Sequence, residues 1–285
     1  MTIGEWIKTA SGKLSSHQAE CADPVQHARL IAREMLSLPL AQLIARSDDD
    51  ISDSEVKKLD SFLERRLSGE PFQYIVGYEE FWKSRFKVGP GVFIPRKETE
   101  HLVEEVLKLD DSKGPLSIVE LGPGSGNIGI SVLLEKPTWR WFAYEKNTET
   151  IPYLKENIQR ILGDANYFLL EGDFFDAAEP RQYDAIVSNP PYIPLSEKLS
   201  KEVTSEPALA LYGGEQGWEV LEQLALFARA KLKDRGVFLS EIASTQEAVA
   251  SDLLLKNGFE NVQIIRDYQG LPRIAKGIKS GSAAH

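Results

Sequence analysis

The sequence predicts an α/β fold with a mostly parallel sheet of seven strands, preceded by a small helical domain and a β-hairpin. Three observations support this expectation. Residues 97–285 alternate short apolar strands with helical stretches, which is typical of a parallel sheet covered by helices on both faces. Residues 1–70 contain repeated helix-start signals. Residues 71–96, which connect the two, are aromatic, β-branched and interrupted by glycine and proline, as hairpins are.

The helical prediction for residues 1–70 depends on capping signals and one amphipathic repeat. Two pairs fit the capping box, in which two backbone donors are satisfied reciprocally: Thr2 with Glu5, and Ser52 with Glu55. Asp23 followed by Pro24 fits an N-cap residue with proline at the first helical position. Apolar residues then recur at helical spacing at Val56, Leu59, Leu63 and Leu67. Gly69 fits the position just after that helix, so we expect a small bundle that docks a partner.

The seven strands of the larger domain are expected at residues 116–121, 139–145, 167–170, 185–188, 237–241, 262–267 and 273–275. Helices are expected around residues 148–162, 218–232 and 246–257. Only a few residues separate the last two strands, whereas a parallel crossover needs about a dozen. These two strands should therefore pair antiparallel at the edge of the sheet.

Composition and charge exclude several classes of protein. The chain has 285 residues, 33 of them basic and 43 acidic, and a net charge of -10. It is a poor candidate for a general nucleic-acid binder, because binding to phosphates needs an excess of Lys and Arg. A single cysteine, Cys21, excludes a disulfide framework and a cysteine-built zinc site, and we expect no metal. The absence of a secretory signal or a long apolar run predicts a cytoplasmic protein with no membrane partner.

A glycine-rich turn follows the first strand of the larger domain and opens a helix. Its residues are Gly122, Pro123, Gly124, Ser125 and Gly126. Glycines let the backbone approach a ligand closely, and a helix N-terminus presents free N–H groups. Glu145 lies 21 residues beyond Gly124, at the end of the second predicted strand, where a carboxylate can accept both ribose hydroxyls. The pattern favours a nucleoside cofactor over the alternative, a tight turn without a ligand.

The spacing of this loop distinguishes between cofactors. Asn127 stands where a dinucleotide fingerprint has its third glycine, and the Lys of a Walker loop is absent. With Glu120 two positions before Gly122, the loop resembles the S-adenosyl-L-methionine loop of class I, Rossmann-like methyltransferases. That resemblance implies that the loop after the third strand closes over adenine. Phe174 would then pack on the ring and Asp173 would accept a hydrogen bond, unless Asp173 is an ordinary turn residue.

The most specific feature is a tetrapeptide at the end of the fourth strand, Asn189-Pro190-Pro191-Tyr192. Ligands bind at this edge in open α/β sheets. The prolines remove two backbone donors, so no local N–H competes for the Pro190 carbonyl, and Tyr192 supplies a flat wall. The tetrapeptide resembles motif IV of methyltransferases that act on planar nitrogens. In that chemistry the Asn189 side-chain oxygen and the Pro190 carbonyl accept the two N–H hydrogens, more strongly in the transition state than in the ground state.

Further motifs extend the resemblance to nearly the whole chain. They are Gly69–Gly77, Phe81-Trp82, Val92–Arg96 with Glu98-Thr99-Glu100, Glu206–Leu211 with Gly213-Gly214, and Asp267–Arg273. Together they resemble the PrmC/HemK family, the peptide chain release factor N(5)-glutamine methyltransferases. The resemblance implies that the protein substrate is a class I release factor, methylated on the glutamine of its Gly-Gly-Gln loop. Carried over residue by residue, Phe93 and Ile94 enclose the methyl donor and the glutamine, and Asn189, Pro190, Pro191 and Tyr192 hold the amide.

The chain departs from the usual family pattern at Glu120 and Glu145, where Asp is common, and at Lys97, where Pro is common. Two other functions stay open: an amino-methyltransferase acting on DNA or RNA bases, which the net charge disfavours, and a non-catalytic module that binds a translation factor. Only residues 71–96 are net basic, with four basic and two acidic residues, and we expect them beside the active site, with Arg96 contacting the protein substrate. We expect a monomer.

Overall fold

The structure is a computed structural model that describes residues 1–16, 23–176 and 181–281. Cys21 lies outside these ranges. The chain divides into two compact units, which are described separately. Unit 1 comprises Met1–Gly77 with Leu199–Ser205, and unit 2 comprises Tyr78–Lys198 with Glu206–His285.

Unit 1 is a small helical bundle. Its helices are α1 (Ile3–Ser16), α2 (Pro24–Leu36), α3 (Leu40–Ala45), α4 (Asp53–Leu67) and α5 (Phe72–Val76). The predicted start signals are confirmed. Thr2 and Glu5 exchange side-chain-to-backbone hydrogen bonds of 2.8 and 3.2 Å, and Ser52 forms a complete capping box with Glu55. The apolar faces of the helices meet in one core around Trp6, Ile31, Leu59 and Leu63.

Helix α5 corrects one sequence expectation, because residues 72–76 fall in the segment predicted as hairpin. Pro71 has a fixed φ of -56° and serves as the N-cap, and Gly77 ends the turn with a φ of 86°. Tyr74 and Ile75 are buried, so the aromatic and β-branched character that favoured a strand instead reflects core packing. The hairpin itself is confirmed over a shorter range, Tyr78–Phe81 paired antiparallel with Ser84–Lys87.

Every strand found in the described residues belongs to unit 2. They are β1 (Tyr78–Phe81), β2 (Ser84–Lys87), β3 (Ser117–Leu121), β4 (Arg140–Glu145), β5 (Tyr167–Glu171), β6 (Tyr183–Ser188), β7 (Ile193–Pro194), β8 (Tyr212–Gly214), β9 (Leu232–Glu241), β10 (Phe259–Arg266) and β11 (Pro272–Lys279). Seven of them form the main sheet in the order β10-β11-β9-β6-β3-β4-β5. Strand β11 pairs antiparallel with both β10 and β9, and the remaining pairs are parallel. The predicted sheet with an antiparallel edge is confirmed.

The strand order places a ligand crevice between β3 and β6. From β3 the chain builds outward through β4 and β5, and it then returns to β6 on the other side of β3. Ligands bind outside the carboxyl ends of the strands at such a reversal. The glycine-rich turn follows β3 and the tetrapeptide at Asn189 follows β6, so this topology brings the two motifs together.

Helices cover both faces of the sheet, and a cluster of buried apolar side chains lies between the helices and the sheet on each face. These helices are α6 (Glu100–Leu107), α7 (Asn127–Glu135), α8 (Ile151–Ile161), α10 (Glu219–Lys231) and α11 (Glu247–Lys256), and they include the three predicted from the sequence. A further short helix, α9 (Ala208–Leu211), lies between β7 and β8 in the chain. Within the described ranges, no helix combines the length and the apolar character that a membrane crossing requires.

Candidate active site

A cavity of about 240 Å³ lies at the carboxyl ends of β3, β4 and β6. Eleven residues predicted for the site line it: Gly122, Pro123, Gly124, Ser125, Glu145, Phe174, Phe93, Asn189, Pro190, Pro191 and Tyr192. Much of the remaining wall is formed by Tyr144, Asn127 and the segment Leu209–Tyr212, which were not predicted as site residues. The two motifs therefore share one cavity.

The glycine loop is folded against the end of β4. Gly122 and Gly124 have φ values of 73° and 57°, a conformation that favours glycine. The Gly124 N–H donates to Glu145 Oε2 at 3.1 Å, and the Asn147 N–H donates to Glu145 Oε1 at 2.8 Å. Burial raises the pKa of Glu145. Two backbone donors thus orient this carboxylate in the cavity wall.

Two residues predicted to bind a cofactor do not line the cavity. Gly126 caps α7, and a Cβ built there would lie 2.6 Å from Leu154 Cδ1, so this glycine is required for packing. Asp173 forms an ion pair with Lys146, with 3.2 Å between Oδ2 and Nζ, and its Oδ1 accepts from the Phe175 N–H at 3.1 Å. In this structure Asp173 shapes the turn beside the cavity.

The segment Phe93–Arg96 is held by a residue that sequence reasoning missed. The Glu206 carboxylate forms an ion pair with Arg96 and accepts from the Ile94 N–H at 2.9 Å, and its side chain is 2% exposed. The Arg96 guanidinium in turn lies 4.6 Å from the ring centroid of Phe93, which lines the cavity. Ile94 is buried, but it is not one of the residues that line the cavity. The sequence offered one signal for this role of Glu206, namely that it is the acidic residue of the Glu206–Leu211 motif.

Two hydrogen bonds anchor the start of the tetrapeptide. The Ser188 hydroxyl donates to the Leu121 carbonyl at 2.7 Å, which joins the ends of β6 and β3. Asn189 Nδ2 donates to Thr99 Oγ1 at 3.1 Å, so the amide nitrogen is engaged and its oxygen can serve a ligand. Burial raises the pKa of Tyr192 to about 12, which keeps its hydroxyl protonated at neutral pH.

A two-stranded sheet and a glutamine support the far side of the tetrapeptide. Strand β7 pairs in parallel with β8, which follows the lining segment Leu209–Tyr212. Gln246 Nε2 donates to the carbonyls of Gly217 and Tyr192 at 2.9 and 3.3 Å. Neither β8 nor Gln246 carries a local sequence signal for this role, since their partners lie far away in the chain.

Gly213→Ala should reduce kcat by about 10-fold or more, because misplacing a binding group by a fraction of an ångström is costly. A Cβ at this position would lie 2.5 Å from the Pro191 carbonyl oxygen and 2.4 Å from that of Gly217, so the tetrapeptide must shift. Steady-state kinetics would measure the loss. Gly281→Ala is the control, because its Cβ would meet a single atom at 3.9 Å. A Gly213→Ala enzyme as fast as this control would contradict the prediction.

The hairpin is bound to the glycine loop through one buried side chain. Asn157 on α8 accepts from the Lys87 N–H at 2.7 Å and donates to the Lys87 carbonyl at 3.1 Å. The same Asn157 amide donates to the Ser125 carbonyl at 3.0 Å. Strand β2 and the backbone of the glycine loop are therefore fixed by the same residue.

The basic residues of segment 71–96 are all paired with carboxylates. The pairs are Lys83 with Glu135, Arg85 with Glu80, Lys87 with Glu156, and Arg96 with Glu206. Three of these four acids come from other elements of the fold. Within unit 2, Phe93 of this segment lines the cavity. Each positive charge of the segment is paired with a carboxylate. The contact of Arg96 with the protein substrate stays a prediction.

Glu120 is a buried acid beneath the glycine loop. It is fully buried, and its Oε2 accepts from Trp141 Nε1 at 2.8 Å. Burial, reinforced by the nearby charge of Glu145, raises the pKa of Glu120 to about 8. The side chain is therefore protonated in the folded protein at neutral pH, whereas in the unfolded chain it ionises near its usual value.

Because the pKa of Glu120 is higher in the folded state, the folded protein binds this proton more tightly than the unfolded chain. The stability that Glu120 contributes is complete below pH 4.5 and is lost as the pH rises toward 8. Glu120→Gln, which cannot ionise, should therefore gain a few degrees in melting temperature relative to wild type between pH 5 and pH 8. Thermal melts at both values test this, and a difference that does not change with pH would contradict it.

Comparison with known proteins agrees with this geometry. Residues 5–77 match the model of the PrmC N-terminal domain, and residues 84–210 match the methyltransferase small domain. The chain is 35% identical to the release factor glutamine methyltransferase of Neisseria gonorrhoeae over 97% of both chains. It is 33% identical to that of Koribacter versatilis over 99% of this chain and all of the other. A Pyrococcus furiosus methyltransferase structure shares the fold, with a TM-score of 0.51, 20% identity, and coverage of 68% of this chain and 88% of that one.

Proposed function

The chain belongs to the release factor glutamine methyltransferase family, and we propose on that basis that it methylates the N5 amide nitrogen of the glutamine in the Gly-Gly-Gln motif of a class I peptide chain release factor. The methyl donor would be S-adenosyl-L-methionine. The observation that carries this proposal is the shared cavity, which is lined by the glycine loop with Glu145 on one side and by Asn189, Pro190 and Tyr192 on the other.

The residues of the cavity fit the proposed cofactor, which would supply an electrophilic methyl group when bound. A Cβ built on Gly122 or Gly124 would meet nothing within 4 Å, so the loop backbone faces open space that a ligand can fill. The Glu145 carboxylate is oriented to accept ribose hydroxyls. Phe174 offers an apolar face for the adenine, whereas Asp173 is already engaged by Lys146.

The tetrapeptide would activate a weak nucleophile. The lone pair of a glutamine amide nitrogen is delocalised into its carbonyl. The Asn189 side-chain oxygen and the Pro190 carbonyl oxygen would each accept one of its N–H hydrogens. As the nitrogen lone pair forms the bond to carbon and the carbon–sulfur bond breaks, the N–H groups become more acidic and these hydrogen bonds strengthen. The extra proton then leaves the methylated nitrogen, so no strong base is needed before attack.

The direct test is peptide mass mapping of a class I release factor after incubation with the protein and S-adenosylmethionine. We expect the Gly-Gly-Gln peptide to gain the mass of one methyl group minus one hydrogen. A release factor whose motif glutamine is replaced by glutamate is the control and should gain nothing. An unmodified Gly-Gly-Gln peptide would refute the proposal. Transfer of label to DNA or RNA would favour an amino-methyltransferase acting on bases.

Unit 1 would serve to dock the protein substrate in this proposal. We further propose that the enzyme acts as a monomer in the cytoplasm, where release factors function. Unit 1 corresponds to a family domain of its own, and none of the residues lining the cavity belongs to it. Substitutions in unit 1 that remove its contacts with the release factor should therefore raise KM for the release factor more than they lower the affinity for the methyl donor.

A further inference from the structure

The proposed chemistry requires the Asn189 amide to present its oxygen to the substrate. An asparagine side chain has one oxygen acceptor and an NH2 group with two donors, and the two ends have nearly the same shape. If the amide were turned over, its N–H groups would face the N–H groups of the substrate. Some neighbouring group must therefore determine which way the amide points.

Thr99 is the neighbour in contact with this amide. It precedes α6, is 1% exposed, and its Oγ1 accepts from Asn189 Nδ2 at 3.1 Å. A hydroxyl can donate or accept, and with only one hydrogen it cannot by itself define the direction of the bond. The direction depends on where the Thr99 hydrogen goes.

The Thr99 hydrogen goes to a carboxyl group. Glu241 ends β9, and the register of β6 with β9 pairs Ser188 with Ser240, so Glu241 stands beside Asn189 across the parallel strands. Hydrogen bonding to Thr99 favours the charged form of Glu241 and so lowers its pKa. A bond that favours the carboxylate is one that the carboxylate accepts, so the hydroxyl donates, and Thr99 is then left with acceptor capacity alone. Only the NH2 end of the Asn189 amide can satisfy that acceptor.

Glu241 lies in a buried, charged neighbourhood. It is 4% exposed, and its Oε2 has no hydrogen-bond partner among the described residues. Arg273 and Arg96 favour its charged form, and Glu98 opposes it; burial, the largest effect, raises the pKa of Glu241 to about 7. Arg273 is itself fixed by Asp267, with 2.8 Å between Nε and Oδ2.

We propose that Thr99 and Glu241 are positioning residues that hold the Asn189 amide with its oxygen toward the substrate nitrogen. The chain runs from the Glu241 carboxylate through the Thr99 hydroxyl to the Asn189 NH2 group. Neither Thr99 nor Glu241 lines the cavity, so each acts through Asn189. This inference depends on the proposed amide methylation, and the experiments below separate the two.

Turnover provides the first test. Thr99→Val keeps the shape and removes the hydroxyl, and should lower kcat by about 10- to 100-fold, with the affinity for S-adenosylhomocysteine unchanged. Thr99→Ser, which retains the hydroxyl, should recover most of the rate. Glu241→Met, which keeps the length of the side chain and removes both oxygen acceptors, should lose a similar factor. If Thr99→Val or Glu241→Met turned over at the wild-type rate while the wild type methylated the release factor, the positioning inference would fail and the proposed function would stand.

A double-mutant cycle distinguishes positioning from a general structural effect. In an Asn189→Ala background there is no amide to orient, so Thr99→Val should cause little further loss of kcat. An equal fold-loss in both backgrounds would show that Thr99 acts independently of Asn189 and would overturn the proposal.

Orientation can also be measured without turnover, so that a failure of the proposed function leaves this inference testable. In nitrogen-15 NMR spectra, the side-chain NH2 signal of Asn189 is identified by its absence in Asn189→Ala. One of its two protons should be protected from exchange with water in wild type and in Thr99→Ser, and both should exchange freely in Thr99→Val. Equal exchange in wild type and Thr99→Val would refute the hydrogen bond on which the proposal depends.

Discussion

Asn189→Ala should lower kcat for methylation of the release factor by about 10²–10³, the usual cost of removing one hydrogen-bonding group that acts in the transition state. The Asn189 oxygen is proposed to accept a hydrogen that becomes more positive as nitrogen attacks, and alanine offers no acceptor there. The Pro190 carbonyl and the glycine loop remain in place, so binding of S-adenosylhomocysteine should change much less than kcat. If Asn189→Ala raised KM and left kcat unchanged, Asn189 would contribute only to binding of the substrate in its ground state.

Single-turnover rates with saturating methyl donor would measure this loss, and Asn166→Ala is a matched control. The Asn166 side chain also donates one hydrogen bond, to the Pro137 carbonyl at 3.2 Å, and it is not part of the cavity lining. The control should retain the wild-type rate. An Asn189→Ala enzyme as fast as Asn166→Ala would remove Asn189 from the mechanism and leave the Pro190 carbonyl as the remaining candidate acceptor.

The parts of the site that could be predicted are those whose position follows from strand order. Gly124 follows β3, Glu145 ends β4 and Asn189 ends β6, and parallel neighbours bring their carboxyl ends to one edge. The alternation of strands and helices was long and periodic enough to predict each of the seven strands. Helix α5 was missed because a single turn of five residues is too short to show a helical period.

The parts that could not be predicted depend on contacts between distant positions. Glu206 binds Arg96 across 110 residues, and Thr99 meets Asn189 across 90. No local spacing encodes such pairs, and a resemblance can show that Glu206 belongs to a motif without showing what it holds. The ion pairs of the basic residues in segment 71–96 could not be predicted for the same reason, since three of their four acidic partners lie outside the segment.

Gly129→Ala should destabilise unit 2 by about 3 kcal/mol, the upper end of the usual cost of overpacking a rigid core. A Cβ at this position of α7 would lie 2.2 Å from Trp141 Nε1 and 2.6 Å from two further atoms of the indole. The indole cannot move aside cheaply, because it is fully buried and donates to Glu120 at 2.8 Å. We expect the melting temperature to fall by roughly 5–10 °C. Cofactor binding should weaken as well, since α7 begins directly after the glycine loop.

Gly12→Ala is the control for adding a methyl group to a helix. It lies at an exposed site of α1 where a Cβ meets nothing within 4 Å, so it should raise stability by about 0.5–1 kcal/mol, as alanine does in a helix interior. A second variant, Trp141→Phe, shows whether the loss in Gly129→Ala comes from the indole. In a Trp141→Phe background the ring is smaller, so Gly129→Ala should cost much less than in wild type. An equal loss in both backgrounds would mean that the clash with Trp141 is not the cause. A smaller loss in the Trp141→Phe background would show that glycine at position 129 permits the close approach of α7 to Trp141 of β4.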